Sequence, residues 1–159
     1  MAPKWRIIYT DGSGRKEGAA AAAVAKDMKG GNDQESSRYL GKIATAPDAE
    51  RAAIGLASNL PGAMNLILTD FQAALATALY LAKGQPPRSS IEVEIKGALR
   101  NRRDEDTGIA WIRRHIGIRG NEQADRLASF KSVLGDIVGE PTTTTEGGVR
   151  QASKATRAS

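Results

Sequence analysis

Four acidic residues stand at points of the sequence where a carboxylate can do chemistry. Asp11 ends a β-branched and aromatic run and Asp70 ends a continuously apolar run, so each is expected at a strand end. Glu50 and Asp125 lie in segments whose apolar residues recur with helical spacing, on the side expected to pack. Sites in open α/β sheets form beyond the carboxyl ends of strands. If the two strands are adjacent and parallel, their carboxylates point into one crevice, and we expect the two helical acids to lie near it on the packed sides of their helices.

Converging carboxylates repel one another unless a cation lies between them. The chain has no cysteine, so disulfides, zinc–thiolate sites and iron–sulfur clusters are excluded, and His115 is the single histidine. Ligands that offer only oxygen suit Mg²⁺ or Mn²⁺. Two such ions about 4 Å apart can hold an attacking water and a leaving oxygen on opposite sides of a phosphate. The acids thus predict a site for two Mg²⁺ ions, with Mn²⁺ as a possible substitute.

Each acid taken alone also has an ordinary structural explanation. Asp11 precedes Gly12, and this pair is common in turns. Glu50 fits the first turn of a helix, where a carboxylate complements the dipole, and Asp70 fits an N-cap. Asp125 fits a solvated helix position. The chemical interpretation therefore depends on all four acids occurring at suitable places in one order.

The elements around these acids predict a mixed sheet with helices on its faces. Residues 19–25 are alanine-rich and have high helix propensity, but flanking turns favour a strand there. The segment 90–103 fits either a helix or an irregular basic stretch. We predict strands at 5–10, 19–25, 38–44, 66–68 and 109–114, and helices at 48–59, 71–82, 90–103 and 121–131. The first three strands form an antiparallel meander, and the apolar fourth is expected to be a parallel strand buried on both faces.

Length and composition limit the class of protein. A chain of 159 residues suits one domain, and its net charge of +5 favours a polyanionic partner. It has no stretch that could span a bilayer, no signal peptide and no Asn-x-Ser/Thr acceptor, so we expect an intracellular protein of the cytoplasm or nucleus rather than a secreted one. We predict a folded domain over 1–138 and a disordered tail over 139–159, which holds almost no large apolar residue.

Four motifs resemble those of the type 1 ribonuclease H family. They are Tyr-Thr-Asp-Gly-Ser at 9–13, Glu50 followed by Ala53-Ile54, Leu-Thr-Asp at 68–70, and the segment 111–128. The last is the most specific, with a histidine loop closed by Gly-Asn-Glu and then Ala-Asp-x-Leu-Ala. The resemblance covers residues 5–131 and is greatest to ribonuclease H domains of non-LTR retrotransposon reverse transcriptases. It implies a ribonuclease H-like α/β fold with a mixed five-stranded sheet, in which two parallel strands follow the meander and helices cover both faces.

The resemblance also implies roles for individual residues. The metal ligands would be four carboxylates, those of Asp11, Glu50, Asp70 and Asp125. His115 would lie in a mobile loop and assist protonation or product departure. Gly12 and Ser13 would approach the RNA strand, Thr45 would contact a DNA phosphate, and Asn121 would lie at the mouth of the site.

The implied activity is that of an endonuclease that hydrolyses the RNA strand of RNA–DNA hybrids by a two-metal-ion mechanism. Its products would carry a 5′-phosphate and a 3′-hydroxyl, and the chain would be either free-standing or part of a larger reverse transcriptase polyprotein. One alternative is a non-catalytic nucleic-acid-binding or connection domain of the same fold. An integrase-like strand transferase is a second alternative. A serine hydrolase is disfavoured, because no Gly-x-Ser-x-Gly elbow occurs.

Three features depart from the family pattern. Phe71 stands where serine often follows the third acid, so a polar substrate contact would be lost. Arg114 stands where glycine often precedes the histidine, which predicts a stiffer or more basic loop. No basic protrusion is evident, and its substitutes would be Arg100, Arg102 and Arg103, unless these form only a solvated face.

Overall fold

The computed structural model describes residues 5–27, 30–102, 106–114 and 118–138. Within these residues the chain forms five strands and four helices. In chain order they are β1 (Arg6–Arg15), β2 (Gly18–Ala25), β3 (Gln34–Gly41), α1 (Ala46–Ser58), β4 (Met64–Thr69), α2 (Gln72–Ala82), α3 (Ser90–Arg100), β5 (Asp106–Trp111) and α4 (Arg119–Val138). The predicted tail over 139–159 lies outside the described residues, so its disorder stays a prediction. No helix in the described ranges combines the length and apolarity needed to cross a membrane.

The strands form one mixed sheet in the order β3-β2-β1-β4-β5. The β3-β2-β1 part is an antiparallel meander, whereas β1 with β4 and β4 with β5 are parallel pairs. This architecture confirms the predicted fold. It also places the strands that lead to Asp11 and Asp70 side by side and parallel.

Strand β1 is longer than the sequence predicts. It continues to Arg15, and Asp11 pairs with Ala22 inside the antiparallel ladder. The prediction of a glycine-rich turn at 11–14 was therefore wrong, and so is the turn explanation for Asp11. The parallel pairing with β4 ends earlier, at Tyr9 and Leu68, so Asp11 lies just beyond the parallel segment.

The alanine-rich segment forms β2, as predicted against its helix propensity. Residues 18–25 are all buried, because β2 packs against both α1 and α4. Successive side chains of a strand point to opposite faces. Gly12 of β1 lies against α1, while Tyr9, which points to the opposite face, lies against Gly120 of α4. Alanine side chains keep both helix layers close to the strands that carry the acids.

The core lies between the sheet and α1, α2 and α3. Its largest members are aliphatic side chains of β1, α1, β4 and α3, namely Ile8, Ile54, Ile67 and Ile95. In β4, burial alternates, with Asn65, Ile67 and Thr69 buried and Leu66 and Leu68 half-buried. The prediction that β4 is buried on both faces was therefore wrong, because its second face is only partly covered.

Several element bounds differ from the predicted ones because pairing partners set strand ends. β3 spans 34–41 rather than 38–44, since its register follows β2. β5 spans 106–111 rather than 109–114, since it pairs along the whole of β4. α4 continues to Val138 rather than ending at 131.

The segment after Ser89 is a regular helix, whose first turn is capped by the Ser89 hydroxyl accepting from the Glu92 N–H.

Helix α1 begins two residues before the predicted start. Thr45 is its N-cap: its hydroxyl accepts from the Asp48 N–H, and the Asp48 carboxylate accepts from the Thr45 N–H. Asp48 is thus the acid of the first turn. Glu50 falls further along the helix and is buried, so the helix-dipole explanation does not account for it.

Candidate active site

Three acids meet at the carboxyl edge of the parallel strands. Oxygen atoms of Asp11, Glu50 and Asp70 all lie within 4.8 Å of one another. Taken as whole residues, Asp11, Glu50 and Asp70 have exposed fractions of 5%, 2% and 9%. Burying several carboxylates together costs free energy unless a cation or protons compensate their charge. The arrangement is therefore that of a cation site or of a set of shared protons.

Glycines allow the elements that carry these acids to approach closely. A Cβ atom at Gly12 would overlap the backbone of Ala49 and Glu50, so β1 touches the α1 backbone directly. A Cβ atom at Gly120 would overlap the Tyr9 ring, so the start of α4 lies against β1. Both contacts bring a helix beside the strand segment that holds Asp11.

Side chains hold the main chain at Asp70 and at the residue after it through hydrogen bonds. The Trp111 indole N–H donates to the Asp70 carbonyl at 3.3 Å, and the Thr69 hydroxyl accepts from the Phe71 N–H at 3.1 Å. Helix α2 starts at Gln72 with Phe71 as its N-cap, and no side chain caps it. Asp70 therefore is not an N-cap. Phe71 packs on the core instead of offering the polar group that serine would.

Burial raises the pKa of Asp11 to about 9, and the charges of Glu50 and Asp70 add to the shift. The Asp125 carboxyl contributes in the same direction through a hydrogen bond and its charge. A shift of this size means that Asp11 holds its proton at neutral pH while no cation is bound.

The pKa of Glu50 rises to about 7, again first through burial and then through the Asp70 charge. A hydrogen bond with Asp11, the Arg114 charge and the Gly12 backbone oppose this rise. The Glu50 Oε1 atom is buried and has no hydrogen-bond partner among the described residues. A buried carboxylate oxygen without a partner, beside two further carboxylates, fits a hard divalent cation.

Asp125 lies at the rim of the same centre. It is exposed on α4 and lines a cleft together with Asp11, Gly12 and Asp70. The structure thus brings Asp11, Asp70 and Asp125 to one cleft, while Glu50 lies buried beside Asp11 and Asp70 without lining the cleft itself.

Arg114 is the residue of this centre that sequence reasoning missed. Its Nη2 lies 3.2 Å from Glu50 Oε2, and its Nε lies 3.4 Å from Asp70 Oδ2. From the sequence, Arg114 was expected only to make the loop stiffer or more basic than glycine would. Nothing in the local pattern shows that its side chain turns toward the acids, because the contact joins residues from three distant segments.

The other predicted site residues fall into three groups. Asn121 and Gly12 line the cleft, and Asn121 is 8% exposed with Oδ1 lacking a partner in the described part of the chain. Ser13 is nearly buried in β1, and Thr45 is exposed at the start of α1. His115 lies outside the described residues. The substrate contacts assigned to these residues remain predictions.

The basic residues near the end of α3 have different surroundings. Arg102 is buried, and its guanidinium donates to the carbonyls of Leu60 and Gly62 and to the Thr107 hydroxyl. It therefore ties α3 to the strand ends instead of facing a substrate. Arg100 is exposed, and Arg103 lies outside the described residues.

The sheet order and the carboxylate cleft at its parallel edge define an α/β domain built around an acidic centre. The family model for RNase H matches residues 3–132, and the chain belongs to this family. No curated protein matches the chain significantly. Membership supports ribonuclease activity on RNA–DNA hybrids, and the family typically uses divalent metal ions.

Proposed function

We propose that this chain is an endonuclease that hydrolyses the RNA strand of RNA–DNA hybrids by a two-metal-ion mechanism. Asp11, Glu50 and Asp70 would hold Mg²⁺, or Mn²⁺ as a substitute, with Asp125 as a fourth ligand at the rim. One observation supports this most: three buried carboxylates have oxygen atoms that all lie within 4.8 Å of one another. Carboxylates so placed need a cation to ionise together.

The chain's own residues suggest how the reaction would proceed. When bound, the ions supply activation of the attacking water and stabilisation of the leaving 3′-oxygen. Trp111 holds the main chain at Asp70, and the α1–β1 contact holds Glu50 in place, so these two carboxyl groups would keep their positions toward the substrate. The products would carry a 5′-phosphate and a 3′-hydroxyl.

Substrate recognition is proposed at the edges of the cleft. Gly12 and Asn121 line it, and their polar groups suit the 2′-hydroxyl that distinguishes RNA from DNA. Ser13 would assist there, and His115 would protonate the leaving group or help product departure. Thr45 stands exposed at the start of α1, where its side chain would contact a DNA phosphate.

The biological context is a further part of this proposal. The segment 111–128 resembles ribonuclease H domains of non-LTR retrotransposon reverse transcriptases. We propose that the chain acts within a larger reverse transcriptase polyprotein inside the cell.

A cleavage assay tests the proposed activity. Purified protein with Mg²⁺ should cut the RNA of a labelled hybrid, and Asp70→Asn should lower the rate by about 100-fold or more, as expected when a charged group leaves a reaction centre. Asp106→Asn is the matched control, because Asp106 is exposed at the opposite end of the parallel strands. Glu50→Gln should behave like Asp70→Asn.

Equal rates for Asp70→Asn, Glu50→Gln and the Asp106→Asn control would contradict the site. Hybrid binding without metal-dependent cutting by the unaltered chain would instead favour a non-catalytic binding domain of this fold.

A further inference from the structure

One cation already lies at the acidic centre, and it belongs to the chain. The Arg114 guanidinium bridges two of the three buried acids, with Nη2 at 3.2 Å from Glu50 Oε2 and at 3.5 Å from Asp70 Oδ1. Its Nε also approaches Asp70 Oδ2 at 3.4 Å. The guanidinium thus uses carboxylate oxygens that a divalent cation between Glu50 and Asp70 would need.

The exposure of the two sides of this contact is unequal. The Arg114 side chain is 49% exposed, whereas the Glu50 and Asp70 side chains are 3% and 2% exposed. Arg114 follows β5 closely and lines the cleft that opens to solvent. It can therefore leave the acids by rotating toward water, with little loss of packing, while the acids stay in place.

We propose that Arg114 is an exchangeable counter-ion of the acidic centre, which divalent cations must displace from Glu50 and Asp70. It thereby sets the concentration of Mg²⁺ that the centre requires. The proposal rests on the proposed function, because it assumes that these acids bind the cation. Its chemistry is simple exchange: one guanidinium charge leaves, and no covalent bond is made or broken.

Removal of the guanidinium should have opposite effects with and without the cation. Without divalent cations, Arg114→Gln leaves the buried acids without their nearest positive charge, so the folded state should lose stability. With Mg²⁺ present, the same substitution removes a competitor, so binding should tighten. If Arg114 served only to hold the loop, its substitution would lower the stability of the folded state under both conditions.

Calorimetric titration of Mg²⁺ into the full chain measures the change in binding. We expect Arg114→Gln to lower the Kd about fivefold, the order set by the loss of one partly exposed ion pair. Arg113→Gln is the matched control, because it removes the same charge from the exposed neighbouring residue. Arg114→Lys keeps the charge without the planar fork, so its Kd for Mg²⁺ should lie between those of the wild-type chain and Arg114→Gln.

Thermal unfolding measures the change in stability. In EDTA, Arg114→Gln should lower Tm by about 3 °C. In saturating Mg²⁺, the difference in Tm between Arg114→Gln and the wild-type chain should vanish or change sign.

Two results overturn the inference and can be told apart. An equal or weaker Mg²⁺ affinity of Arg114→Gln contradicts the exchange while leaving the metal site intact. If neither the wild-type chain nor any variant binds Mg²⁺ or gains stability from it, the exchange and the proposed metal-dependent function fail together.

Discussion

At the scale of single residues, the carboxyl groups of Asp11 and Glu50 give the fold its strongest dependence on pH. Their ordinary pKa values are 3.8 and 4.5, and the folded protein raises them to about 9 and about 7. Between these limits the folded chain binds more protons than the unfolded chain. Stability must then decrease as the pH rises.

We therefore predict that, in EDTA, the free energy of unfolding falls steadily from about pH 5 to about pH 9. Asp11→Asn should remove the part of this decrease that lies above about pH 7, since only Asp11 has its raised pKa there. Urea denaturation at a series of pH values measures the free energy of unfolding of both chains. A free energy of unfolding that rises over this range in EDTA would contradict the burial of the two acids.

The positions of the acids in the sequence and the family resemblance predicted that these side chains lie together, but not which partners they have. The four acids were expected in one crevice; the structure places three of them, Asp11, Asp70 and Asp125, on one cleft and buries Glu50 beside the first two. The ion pairs of Arg114 could not be predicted, because a side chain's direction depends on tertiary packing and not on its neighbours in sequence. The same holds for Arg102, which looks like part of a basic patch but donates to buried carbonyls.

At the scale of elements, the site depends on how closely β1 approaches α1. Gly12 has no Cβ, and this lets the strand lie directly on the helix backbone at Glu50. From the sequence, Gly12 was expected to belong to a turn or to approach the RNA strand, not to contact α1. A glycine next to a strand acid was the available signal for a close backbone approach.

We predict that Gly12→Ala destabilises the protein by about 1 to 3 kcal/mol, because the added methyl group overlaps backbone atoms that cannot rotate away. Gly97→Ala is the matched control: Gly97 lies in α3, and a methyl group added there would meet no neighbouring atom of the described residues within 4 Å. That substitution should stabilise by about 0.5 to 1 kcal/mol through helix propensity. Denaturant unfolding compares them, and a neutral Gly12→Ala would contradict the close β1–α1 contact.

Element types were more predictable than element bounds. The alanine-rich β2 was correctly predicted as a strand, since its flanking turns and its partners outweigh propensity. The bounds of β3 and β5 were wrong, because their ends follow the registers of β2 and β4. Local sequence carries little information about a partner strand's register.

At the scale of the whole molecule, the order of the strands determines where the acidic side chains meet. β1 and β4 are adjacent and parallel, so their carboxyl ends share one edge of the sheet. Helix α1 brings Glu50 to that edge from one face, and α4 brings Asp125 from the other. The alternation of strands and helices predicted a mixed sheet with helices on its faces, and the resemblance to ribonuclease H domains implied the parallel pairing that follows the meander. The domain bounds of 1–138 remain a prediction.

The central claim is that the cleft at this edge binds divalent cations through its buried acids. Crystals soaked in Mn²⁺ and measured at the manganese absorption edge test this most directly. We predict an anomalous peak between the carboxylates of Asp11, Glu50 and Asp70, with the Arg114 guanidinium turned away from them. A soaked crystal with no peak at these three carboxylates, and with Arg114 still paired to Glu50 and Asp70, would contradict the account.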